Sequence, residues 1–125
     1  QYGIAPSLLG DQSHLEVAMK KLTRRRDMTV EMMNSIPGIT CVAPEGALYA
    51  FPRLHNVTND AHFAAEMIKE TGVVVVHGSG FGQLPGTQHM RIVFLPPENI
   101  MEKAYKALSE FHAKYLDKFE KVNAR

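Results

Sequence analysis

Near the end of the chain, Gly78-Ser79-Gly80-Phe81-Gly82, with Gly86 beyond it, leads through His89-Met90 into Arg91. A guanidinium keeps its proton at any ordinary pH, and Ile92, Val93, Phe94 and Leu95 behind it offer no polar company. A charge fixed in such surroundings needs an anion. On the residues alone two partners are open. One is an internal acid such as Glu45 or Glu66; the other is a bound carboxylate, which the planar donor fork grips through two parallel hydrogen bonds. Strand alternation puts Arg91 on the face of Val93 and Leu95, opposite Met90, Ile92 and Phe94.

The other reactive residue types form no comparable group. The glycine loop runs into Pro85 and a strand rather than a helix, without the dinucleotide fingerprint or the Gly-Lys-Ser/Thr ending of a phosphate loop. Its glycines read as a mobile connection that takes positive φ. His14, His55, His62, His77, His89 and His112 show no helical pair at metal-ligand spacing. Only His77 and His89 flank the loop, where they can face each other across a strand pair, and no carboxylate or thiol motif joins them, so no metal is expected. Ser79 lies outside any nucleophile elbow and Cys41 sits in a strand without an evident base, so no catalytic residue is expected in this chain. The basic run Lys20, Lys21, Arg24, Arg25 and Arg26 reads as a solvated helix face partly paired with Asp27 and Glu31. No aromatic is interleaved to stack a base, which argues against nucleic acid.

These residues sit in a chain of 125 residues, the length of one domain, with 45% hydrophobic content for a core. A net charge of +1 produces no field that would draw it to nucleic acid or an anionic membrane. Cys41 is the lone cysteine, which suits a reducing compartment, and the expected location is cytoplasmic. No apolar run approaches the ~18 residues of a spanning helix and no secretory leader opens the sequence, so a soluble protein is expected. Residues 1–10, beginning at Gln1 and containing Pro6, read as an irregular lead-in from a longer protein.

The elements that must position Arg91 follow from periodicity. Leu15, Ala18, Met19, Leu22, Val30 and Met33 recur at helical spacing between Asp11 and about Ser35, with Asp11 or Ser13 as cap and Pro37-Gly38 as stop. Residues 39–43 and 47–51 read as a β-hairpin around Pro44-Glu45-Gly46. A second helix, capped by Asn59 or Asp60, carries Phe63, Ala64, Met67, Ile68 and Thr71 up to Gly72. Val73 to Val76 lack alternation, as a strand covered on both faces would, and residues 89–95 form the next strand. Pro96-Pro97-Glu98 opens a terminal helix with Ile100, Ala104, Leu108, Phe111, Tyr115 and Phe119 on one face. The order α-β-β-α-β-β-α predicts an α+β domain, a small sheet covered by helices.

Taken in order, Arg24-Arg25-Arg26-Asp27, Ile36-Pro37-Gly38-Ile39, Pro44 to Pro52 (PEGALYAFP), Gly72-Val73-Val74-Val75, the glycine loop and His89-Met90-Arg91 resemble the class I/II aminotransferases. The resemblance covers nearly the whole chain from about Gln12. It implies that residues 11–125 are the C-terminal small domain of a fold-type-I, pyridoxal-phosphate-dependent enzyme of the aspartate aminotransferase kind. It further implies that Arg91 grips the substrate α-carboxylate, that Gly46 borders the substrate and that Tyr49 helps build the sheet. Amino acid and 2-oxo acid substrates, a cofactor-binding large domain and a homodimer belong to the same implication, with aspartate among the candidate donors.

The family's lysine motif, a serine followed closely by lysine and then glycine and arginine, is absent. Lys20, Lys21, Lys69, Lys103, Lys106, Lys114, Lys118 and Lys121 all lie in expected helices, so none suits a Schiff base and no cofactor-binding residue is expected. The segment by itself is expected to be inactive and to carry no pyridoxal phosphate. The alternative that the residues leave open is a free-standing α+β small-molecule-binding or regulatory module without catalysis.

Overall fold

A computed structural model describes residues 1–120; Lys121 lies outside the described residues. The chain folds as α1 (Ile4–Leu9), α2 (Ser13–Asn34), β1 (Ile39–Thr40), β2 (Tyr49–Ala50), β3 (Arg53–Leu54), α3 (Asp60–Thr71), β4 (Val76–His77), β5 (Met90–Val93) and α4 (Glu98–Tyr115). This is the α+β class, with one short helix and one strand more than the expected order. The lead-in is helical rather than irregular. Pro6 falls in the first turn of α1, where its missing N–H has no intrahelical acceptor to lose.

The middle strand of the sheet that carries Arg91 is β5, with β2 on one side and β4 on the other, both antiparallel. Met90, Ile92 and Phe94 are buried on one face, in a core with Met33, Phe63, Met67, Leu108 and Phe111 from the helices. Each such side chain contributes about 1.5–3 kcal/mol through burial. The opposite face, with Arg91 half-buried and Val93 and Leu95 exposed, is the one the alternation anticipates.

The expected hairpin does not form. β1 pairs with β3 (Ile39 opposite Leu54), whereas β2 pairs with β5 (Tyr49 opposite Val93). Asn34 explains the break: its side chain accepts from the Cys41 N–H at 2.8 Å and donates to the Cys41 carbonyl at 3.0 Å, occupying the backbone groups that would continue β1. Beyond it, Ala47 in the left-handed region (φ 58°) helps turn the chain out of one sheet and into the other. The valine run is corrected too. Only Val76 of the four is in a strand, at the edge of the sheet, and Val74 is 73% exposed, so the run is not a strand covered on both faces.

α3 follows its sequence signals closely. The Asn59 side chain accepts from the His62 N–H at 2.9 Å, and Gly72 ends the helix at φ 72°. α4 is rotated by one position from the expected stripe over its first turns: Met101 and Tyr105 are buried and Ile100 is exposed, while Leu108, Phe111 and Tyr115 face inward as expected. A buried hydrogen bond of 2.8 Å between Tyr105 Oη and Thr29 Oγ1 of α2 selects that side. In α2 only Thr29 and Met33 are buried, so the expected stripe does not pack over the first half, where Leu15 and Met19 are exposed.

Nor is the basic run simply a solvated face. Arg25 donates to the Leu95 carbonyl and reaches Glu98 at 3.5 Å, joining α2 to the start of α4; Arg26 pairs with its neighbour Asp27 at 2.6 Å. The Glu98 carboxyl is held below its ordinary range, first by its own backbone N–H at the helix start and then by the Arg25 charge.

His112, 2% exposed, packs against Phe63 with no hydrogen bond at Nε2. Burial alone lowers its pKa from 6.5. The unfolded chain takes up a proton as pH falls through that ordinary value while the folded chain resists it, so stability is kept above it and lost on acidification. The thermal midpoint is expected to drop between roughly pH 7 and pH 5. His112→Gln, scanned by calorimetry across the same range, should flatten the slope.

Candidate functional site

Arg91 lies in the centre of β5, opposite Val76. Its Cζ sits 4.8 Å from the centroid of the Tyr49 ring, brought by β2, and 4.4 Å from that of Phe81, brought by the glycine loop. Each cation–ring contact of this kind stabilises by about 0.5–2 kcal/mol. Rings hold a guanidinium in place but supply no acceptor for its N–H groups. Its Nε is buried without a hydrogen-bond partner, and among the described residues no carboxylate forms an ion pair with it. Glu66, one of the two internal acids considered, pairs with Lys69 at 2.6 Å instead. The arginine is therefore rigid, charged and short of an acceptor.

The aromatic surround extends further. Phe51 meets Phe81 edge-on at 6.3 Å and stacks on the His89 ring at 4.8 Å and 10°. Tyr49, Phe51 and Phe81 are all partly exposed, so this cluster opens to solvent beside the guanidinium. Between β4, β5 and α4 lies a separate apolar cavity of about 280 Å³ that Arg91 also lines; neither Tyr49 nor Phe81 borders it.

The glycine loop is not a loose connection. Residues 78–81 form a 3-10 turn, and Gly82 and Gly86 take φ of 69° and 77° as expected. Asp60, 3% exposed at the first turn of α3, fastens the rest. Its Oδ2 accepts from the Ser79 N–H at 2.9 Å, the Gln83 amide at 2.9 Å and the His89 N–H at 3.4 Å. Burial pushes the Asp60 carboxyl up, but these hydrogen bonds outweigh it and the net shift is downward, so the acid is ionised. An ionised acid only accepts, so Gln83 turns its amide N–H to Asp60 and its oxygen to His89 Nδ1, 2.9 Å away, which fixes the imidazole proton on Nδ1. His89 is kept neutral by burial first and by the Arg53 charge second. Sequence reasoning read Asp60 only as a possible helix cap. Nothing local marks an acid as buried, and the one hint at Phe81 was that it is the single aromatic inside the glycine run.

The other candidates separate. Gly46 is exposed in the loop between β1 and β2 and lines a small cleft of about 80 Å³ with Leu22 and Arg26 of α2 and with Phe94; Arg91 does not line it. His77 lies opposite Met90 and bonds Ser79 Oγ at 2.8 Å, so it does not share a ligand position with His89. Cys41 is buried and its thiol pKa is raised by that burial, which makes it a poor nucleophile.

With this geometry in view, the comparisons are consistent. The family model for aminotransferase class I and II matches residues 3–108. Alanine aminotransferase 2 of Xenopus laevis is 34% identical over 86% of this chain, and alanine aminotransferase 2, mitochondrial, of Arabidopsis thaliana is 36% identical over 81%. Among solved structures, the alanine aminotransferase from Pyrococcus furiosus superposes with a TM-score of 0.81 at 40% identity, covering 87% of this chain and 28% of that one. The aspartate aminotransferase from Rhizobium meliloti superposes with a TM-score of 0.79 at 28% identity, covering 86% of this chain and 29% of that one. This chain belongs to the class I and II aminotransferases. It spans 22% of the Xenopus protein and 21% of the Arabidopsis one.

These relatives correct the expected location. The Dictyostelium discoideum relative and two from Arabidopsis thaliana are named mitochondrial, against a cytoplasmic protein. A lone cysteine forbids an internal disulfide in every compartment, so its count never discriminated between them. No helix among the described residues is long and apolar enough to cross a membrane.

The family implies pyridoxal phosphate, and the described residues do not fit it. Its attachment calls for a lysine whose amine is deprotonated by a dry or cationic setting. Lys20, Lys21, Lys69, Lys103, Lys106, Lys114 and Lys118 are all exposed.

Gly78 supplies a test of how tightly the loop is held. A Cβ there would meet Gln83 Oε1 at 2.5 Å, His89 Cβ at 2.6 Å and the His89 carbonyl oxygen at 2.9 Å, and the last belongs to backbone bonded to the Gly78 N–H. Gly78→Ala is expected to destabilise the chain by about 1–3 kcal/mol, read from denaturant unfolding.

Proposed function

We propose that this chain is the carboxylate-gripping small domain, residues 11–125, of an amino acid aminotransferase, and that Arg91 binds the α-carboxylate of the substrate. The observation that carries the reading is the guanidinium held by Tyr49 and Phe81, with a buried Nε–H and no ion-paired acid among the described residues. A planar carboxylate completes that set: it supplies acceptors in the geometry of the fork and neutralises the charge. Gly46, without a side chain and exposed, would let the main chain approach the substrate from the neighbouring loop.

Alanine is the amino donor we favour, and a 2-oxo acid the acceptor. Relatives at 34–36% identity and the Pyrococcus structure at 40% carry the name alanine aminotransferase, which supports that choice over aspartate. Pyridoxal phosphate would carry the amino group, held by residues of the longer protein outside this chain. The part of Arg91 is to orient the substrate by its carboxylate. When the small domain closes, the Tyr49, Phe51 and Phe81 rings would exclude water from that ion pair and strengthen it. A homodimer is the assembly proposed for the complete enzyme.

In the complete enzyme, Arg91→Ala should lower kcat/KM for alanine by about 10- to 100-fold, the worth of a charge-assisted hydrogen-bonded pair, with Arg91→Lys in between. Unchanged steady-state kinetics would remove Arg91 from the site. The isolated chain is expected to show no transaminase activity and to retain no pyridoxal phosphate after gel filtration. A bound chromophore in its absorbance spectrum would contradict the assignment of the cofactor to another part of the protein.

A further inference from the structure

Asp60 does not touch Arg91, yet the two are joined by the loop between them. One carboxylate oxygen receives the backbone N–H of Ser79 and of His89, near the two ends of the glycine loop, and the Gln83 amide from its middle. Phe81 lies between the first two of these ties, in the 3-10 turn of residues 78–81. Its ring is 4.4 Å from the Arg91 guanidinium and leans on Phe51, which in turn stacks on His89. A buried acid is costly unless its lone pairs are used, and here they are used on one loop rather than on any cation. Three glycines in five residues leave the backbone of that segment free to adopt many conformations, so its single arrangement must be imposed from outside.

We propose that Asp60 is a positioning residue for Arg91: by clamping the glycine loop it keeps the Phe81 ring against the guanidinium, so that the fork meets the substrate carboxylate already oriented. The inference rests on the reading of Arg91 given above. An arginine loses much rotamer freedom when it grips a ligand, and a ring that already confines it removes part of that cost from binding. The effect belongs to ground-state and transition-state binding alike. It therefore shows in KM and in the affinity for unreactive carboxylates, and little in kcat. An acid that merely stabilised the fold would lower the fraction of active enzyme, and so the apparent kcat, with KM unmoved.

The test uses the complete, cofactor-loaded enzyme and propionate as an unreactive competitor of alanine. Asp60→Asn, close in size, keeps one oxygen for the three donors but removes the charge that strengthens each of those hydrogen bonds, and should raise the propionate inhibition constant and the alanine KM by about five- to tenfold, with kcat within about twofold. Phe81→Ala should do the same, and the Asp60→Asn/Phe81→Ala double variant should be no worse than Phe81→Ala alone, since both act on one contact. Starting from Arg91→Ala, Asp60→Asn should add nothing to the loss. The proposal is overturned if Asp60→Asn leaves both constants unchanged, if it lowers kcat alone in step with the folded fraction, or if its effect persists without Arg91. Should Asp60→Asn fail to fold, Phe81→Ala at a partly exposed position decides, and an unaltered propionate constant there overturns it. If Arg91→Ala itself leaves propionate binding intact, the reading of Arg91 falls first, an outcome separable from a silent Asp60→Asn.

Discussion

A guanidinium that cannot lose its proton has been placed in the middle strand of a small sheet, on rings instead of on an acid. Most of the structure around it can be understood as a consequence. Met90 and Ile92 of β5 and Phe94 just beyond it are buried and bind the strand that carries Arg91 into the helical core. The outer face then presents the charge at a fixed place. Tyr49 and Phe81 confine it without neutralising it.

That arrangement requires the segments on both sides of β5 to be held. β2 delivers Tyr49 through regular pairing, the most economical means. The glycine loop has no such regularity, and Asp60 substitutes for it: an ionised carboxylate buried at the start of α3 collects donors spread over eleven residues of chain, from Ser79 to His89. The neutral imidazole of His89 continues the network through Gln83 and stacks on Phe51, so that polar and aromatic contacts reinforce each other around the same loop. Arg25 plays a comparable part on the far side, tying α2 to the carbonyl and carboxylate at the strand-to-helix junction of Leu95 and Glu98.

Membership of the class I and II aminotransferases fits this division of labour. A chain covering about a fifth to a quarter of its relatives' length carries the fixed cation and its aromatic surround, while the lysines among its described residues are all exposed. The mitochondrial names among those relatives are a reminder that compartment is read poorly from cysteine count, which constrains covalent pairing and nothing else.

Much was legible without coordinates wherever the deciding atoms lie within a few residues of one another. The bounds of α3 follow from Asn59 and Gly72, and the facing of Arg91 from strict alternation along β5. The motifs from Arg24 to Arg91 placed the chain in its family. Tertiary structure alone decided the rest. Whether β1 met β2 or β3 depended on Asn34 occupying the Cys41 backbone; the phase of α4 depended on Tyr105 finding Thr29, 76 residues away; the role of Asp60 depended on a loop about twenty residues further on. Helix caps and side-chain periods are local properties of the backbone. The partners of a strand edge or a buried carboxylate are chosen by whichever distant groups the folded core brings within hydrogen-bonding reach, and no spacing along the chain encodes that distance.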